Sequence, residues 1–272
     1  MSRFNLKLGI VLVSLLIVGA LFAPWIAPHN PGDYNLSQKL MGPHENFYMG
    51  NDADGRCVLS RILYGGRISL LIGISVITIS LSVGLSLGLV AGWFGGILDS
   101  IFLFVSDIFL AFPGFLLAVA IAAFLPPSIF NVIFVLSLVG WVSFARLVRG
   151  EVLALKQREF ILAARVVGMS RRRLFIYHLI PNLAGPLLVQ ATFGMAGVIL
   201  VESTLAFLGL SVPPTTPSWG GMLDQGTQYL LVAPHLSLFP GIFIMAVVLG
   251  FNFLGDGLRD KLDPRHVVQE EI

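Results

Sequence analysis

Asp107, Gln190 and Glu202 are polar side chains inside otherwise apolar stretches of the chain. An ionisable group in such a setting is costly, so each is a candidate for a solute pathway, a gate or a bond between helices. Glu202 could meet a cationic group of a solute, or accept a hydrogen bond from a neighbouring helix. Gln190 could face a pathway or bond within the protein. Asp107, just before Pro113-Gly114, suits a helix or loop contact as well as a pathway. None has the companions that embedded catalysis needs. His178 has no second His at ligand spacing, which argues against a metal site, and the lone Cys57 cannot form an internal disulfide. Nor is there a nucleotide loop. Cradling a phosphate takes G-x-x-x-x-G-K-[ST], and no Gly-Lys pair occurs anywhere in the chain.

The stretches around these residues set the class. Of 272 residues, 56% are hydrophobic and 12% charged, against roughly a quarter charged in a soluble domain. Six apolar runs are long enough to cross a bilayer: 8–27, 68–92, 101–125, 128–148, 183–209 and 236–258. They do not alternate as barrel strands do, so they read as helices. The first run is longer than a signal-peptide core of about 7–15 residues and is read as a retained span. Gly84, Gly88 and Gly92 recur every four residues, a stripe suited to close packing within the protein.

Lys and Arg set the orientation. With the N-terminus inside, 13 of the 17 basic residues fall on inner segments and 4 on outer ones. Both termini are therefore expected in the cytoplasm. Two long loops, 28–67 and 210–235, then lie outside, and one, 149–182, inside. The outer stretch 212–234 holds Trp219 and Tyr229, and part of it is expected to dip or lie at the outer surface; a simple connector is the alternative.

The inner loop is the most structured of the three. From Arg158 through Val167 it has good helix formers and no breaker. Gly168 frees the backbone to turn, Ser170 could cap a second short helix, and Pro181 would end that helix before the fifth run. The basic Arg171-Arg172-Arg173 run could hold anionic lipid. The small pair Ala163-Ala164 would let another surface approach the backbone, which suits docking into a groove on a partner.

This loop resembles the EAA loop of ABC importer permeases. Ala163, Ala164, Gly168 and Pro181 match its spacing, while Leu162 stands where the family has glutamate and Glu159 lies three residues earlier. Asp54-Gly55-Arg56-Cys57-Val58-Leu59-Ser60-Arg61 (with Cys57 where Asp is usual), Phe112-Pro113-Gly114, Ser203-Thr204-Leu205-Ala206-Phe207-Leu208-Gly209-Leu210 and Pro217-Ser218-Trp219-Gly220 extend the likeness along the chain. It is similar to the C-type permeases of the dipeptide/oligopeptide/nickel family. The resemblance implies an all-α membrane protein with the type I importer permease fold and six transmembrane helices. An N-terminal helix and outer segment (1–67) would precede a core permease domain (68–272). It further implies a bacterial or archaeal inner-membrane location and no enzymatic activity. The expected partners are a second homologous permease, two cytoplasmic ATP-binding subunits carrying ATP and Mg, and an extracytoplasmic solute-binding protein, within a lipid bilayer and with no nucleic acid. Glu159, Ala163, Ala164, Gly168 and Pro181 would form the ATPase-coupling loop. Peptides are the expected solute, nickel the alternative.

Overall fold

The computed structural model describes residues 2–262. It is built of helices: α1 (Ser2–Leu21), α2 (Ala23–Ile26), α3 (Val58–Phe94), α4 (Gly96–Leu110), α5 (Gly114–Ala122), α6 (Ile129–Leu155), α7 (Glu159–Val166), α8 (Arg171–Leu174), α9 (Ile180–Phe207), α10 (Trp219–Thr227) and α11 (His235–Leu262). Among the described residues, five stretches are long and apolar enough to cross a membrane; the pair α4 and α5, which meet at 77°, is either a broken sixth span or a re-entrant loop.

The expected third span is thus not one rod. Pro113 has no N–H to donate and disfavours helical geometry in the residue before it, so α4 stops at Leu110 and the chain restarts at Gly114. α3 is longer than the apolar run implied. Its 37 residues, about 55 Å at 1.5 Å each, begin at Val58 and include Arg61 and Arg67. The preceding non-helical segment is correspondingly shorter than 28–67. α6 starts where expected: the Ser128 hydroxyl accepts from the Asn131 N–H at 3.1 Å, satisfying a free donor of the first turn.

α3 and α6 pack most closely. A Cβ on Gly84 would lie 2.5 Å from the Phe144 Cβ, one on Gly88 2.5 Å from the Ala145 carbonyl, and one on Gly92 3.0 Å from the Arg149 carbonyl. The glycine stripe is therefore internal packing that lets two backbones touch. α1 runs antiparallel to α11, with Leu6 against Gly257 and Val13 against Gly250. The start of α1, the end of α11, the ends of α3 and α6 and the start of α9 gather at one end of the bundle; the 156–179 segment covers that end.

Part of the stretch 212–234 folds as α10, capped by the Ser218 hydroxyl, and packs against α9 and α11 rather than serving as a plain connector. Trp219 is buried rather than interfacial, because α3 offers it a slot beside Gly65 and Gly66 and a partner for its indole, which donates to the Ile62 carbonyl at 2.9 Å.

Candidate functional site: the 156–181 segment and the polar residues within the bundle

α7 is an amphipathic helix of about two turns with one anchored face. Ile161 is fully buried, and Ala164 packs against the same core as Leu174 and Leu179. The opposite face is bare: Ala163 is exposed, Leu162 is half exposed, and Val166 and Val167 are 87% and 86% exposed at the tip. Glu159 sits in the first turn, where a carboxylate complements the helix N-terminus. It lines an open groove with Arg158, Phe160 and Asn182. The segment turns at Gly168, whose φ of +79° favours glycine. There the Met169 N–H reaches back to the Ala164 carbonyl at 3.0 Å, closing the end of α7.

Two local expectations are corrected here. Ser170 precedes α8, but its hydroxyl makes no capping bond; its backbone carbonyl accepts from Leu174 instead. Pro181 does not end a helix. The chain stays helical from Arg171 to Phe207, because a widened π turn at Phe175–Leu179 lets the Ile180 N–H bond the Phe175 carbonyl. Pro181 then lies in the first turn of α9, where its missing N–H costs least. The Asn182 side chain donates to the His178 carbonyl at 2.6 Å. The non-helical part of the expected 149–182 loop is therefore short: α6 runs on to Leu155, α7 spans Glu159–Val166, and helix resumes again at Arg171.

The three polar residues of the apolar runs are not brought together. Glu202 is fully buried and accepts two hydrogen bonds, from Ser69 of α3 and from Ser211 beyond α9, each at 3.1 Å. Gln190 lines a cavity of about 270 Å³ between α3, α5, α6 and α9, with Ser80, Ser143 and Gly194 in the same wall. Asp107 is exposed and pairs with Arg146 of α6. A second pair, Arg149 to Asp99 with contacts of 2.5 and 2.7 Å, ties the start of α4 to the same face of α6.

Two clusters were not singled out from the sequence. At the end of the bundle opposite α7, Asp52 accepts from the Arg56 backbone and guanidinium, at 2.9 and 2.8 Å, and lies 3.4 Å from the buried Arg61 Nε. At the α7 end, Lys156 and Arg165 both lie over the Trp93 indole. Their separation along the chain left no local signal.

Over residues 84–268 the chain matches the family described as binding-protein-dependent transport system inner membrane component. The chain belongs to this family. Residues 7–43 match the N-terminal transmembrane domain of oligopeptide transport permease C. It is 43% identical over 257 residues to the dipeptide transport system permease protein DppC of Alkalihalophilus pseudofirmus, covering 94% of this chain and 84% of that one. It is 40% identical over 263 residues to the di/tripeptide permease DppC of Pseudomonas aeruginosa, covering 94% and 87%. It is 42% identical over 257 residues to the glutathione transport system permease GsiD of Shigella dysenteriae, covering 93% and 84%. This permease is a multi-pass membrane protein of an ABC importer family.

Proposed function

We propose that the chain forms half of the translocation pathway of an ATP-driven importer of short peptides, with hydrolysis carried out on separate cytoplasmic subunits. The observation that carries this is the α7 tip. A helix firmly seated on its Ile161 side leaves Leu162, Val166 and Val167 uncovered. Bare apolar side chains beside small Ala163 are suited to insertion into a groove on another protein. The tip belongs to the segment whose spacing resembles the coupling loop of ABC importer permeases, and the family is binding-protein-dependent by description. The absent phosphate loop fits an ATPase supplied by partners. The 13-to-4 charge asymmetry supports α7 and both termini facing the cytoplasm.

In this reading a solute-binding protein delivers at the opposite face, and a second homologous permease completes the pathway. Gln190, on the wall of the α3/α5/α6/α9 cavity, is the favoured pathway residue of the three. The two serine bonds of Glu202 and the Arg146 pair of Asp107 favour structural roles for those two. Two of the relatives described above are named for dipeptide or di/tripeptide transport and the third for glutathione, which favours a short peptide over a nickel chelate as solute.

The test is Val166→Asp in the assembled complex. An acid at the tip should abolish co-purification of the ATPase subunits or leave their hydrolysis without uptake. Normal uptake and normal assembly would overturn the reading.

A further inference from the structure

α3 ends in a grip. Lys156, just past the end of α6, donates its ammonium to the Trp93 and Gly92 carbonyls at 2.7 and 3.3 Å. These are among the last carbonyls of α3, which lack helical partners and carry the negative end of the helix dipole. The same ammonium lies 5.6 Å from the centre of the Trp93 ring. The Arg165 guanidinium, from the last turn of α7, lies 5.3 Å from it. Phe175 meets the indole edge-on at 5.2 Å, and Arg171 lies 5.5 Å from the next ring, Phe94. Trp93 is only 8% exposed, while Lys156 is partly buried and Arg165 exposed, so the ring attracts the partly desolvated ammonium more strongly than the solvated guanidinium.

The far end of α3 is held as well. Arg61 is buried beside Asp52, and the Ile62 carbonyl accepts the Trp219 indole. One helix of 37 residues is thus fixed at both ends, by α7 and its neighbours at one and by the 50–57 segment and α10 at the other.

We propose that Trp93 is a positioning residue for transport: through Arg165 and Lys156 it ties the docking helix α7 to α3, so that displacement of α7 moves α3 as a strut. This rests on the reading of α7 as the contact with the ATPase subunits. A loop held only by its chain connections to α6 and α9 would need none of these contacts. Four side chains from α6's end, α7, α8 and the π turn converge on the last residues of α3.

The experiment uses the full complex in proteoliposomes and reads peptide uptake per ATP hydrolysed. Trp93→Leu should lower that ratio roughly three- to tenfold while the ATPase subunits stay bound. Trp93→Phe, which keeps a ring face, should recover most of it. Arg165→Gln, at an exposed position that does not disturb the core, should lower the ratio as well. An unchanged ratio in Trp93→Leu and Arg165→Gln overturns the proposal, and so does a Trp93→Phe protein as impaired as Trp93→Leu. Val166→Asp separates the two readings. If it uncouples and the Trp93 series does not, docking stands and the strut falls. If it transports normally, both fall.

Discussion

Buried polar groups decide the residue scale. Glu202 is enclosed and holds two serine hydroxyls from different parts of the chain. Removing it strands both donors and opens a void. Glu202→Ala is expected to cost about 2–4 kcal/mol, read as a lower unfolding midpoint of the purified complex in detergent. Uptake by the folded fraction should keep its apparent solute affinity; a shift in affinity without a loss of stability would return Glu202 to the pathway. Asp52 is the other such group. It faces two arginines, Arg56 and Arg61, both almost fully buried. Truncating one partner of a buried pair leaves an uncompensated charge, so Asp52→Ala should destabilise by about 3 kcal/mol. A midpoint equal to wild type would show that Arg61 is solvated in the membrane-embedded protein.

At the scale of elements, packing of α3 on α6 is the main constraint. The Gly88 position leaves no room for a methyl group, since its Cβ would sit 2.5 Å from the Ala145 carbonyl. Gly88→Ala should cost about 1–3 kcal/mol through overpacking, and Gly197→Ala, with nothing within 4 Å, should cost far less. Comparable losses at both sites would mean that glycine matters for flexibility rather than closeness. The elements were legible in the sequence to differing degrees. Six long apolar runs announced the spans, and a four-residue glycine period announced their contact. Where Pro113 bends a span by 77°, the apolar run was continuous and hid the break. Pro181 misled in the opposite direction, because a widened turn absorbs a proline that elsewhere would stop the helix. Trp219 read as an interface anchor, yet the slot that buries it lies about 150 residues earlier in the chain, at Ile62, Gly65 and Gly66. The turn that closes α7 was legible through Gly168, whose role is local. The Trp93 grip was not, since cation–ring contacts across 63 to 72 positions carry no periodicity.

At the scale of the whole molecule, the two ends of the bundle have different characters. One gathers both ends of the described chain with the bare tip of α7, and the other is closed by the 50–57 segment, α10 and their buried charges. α3, the longest of the helices that run between them, is held at both ends, and an open wall with Gln190 lies between. The most direct measurement is peptide uptake into proteoliposomes holding this chain and its partner permease, with and without the ATPase subunits and ATP. Uptake is expected only when both ATPase subunits and ATP are present. Equal uptake by the membrane subunits alone, down a solute gradient, would contradict the importer role.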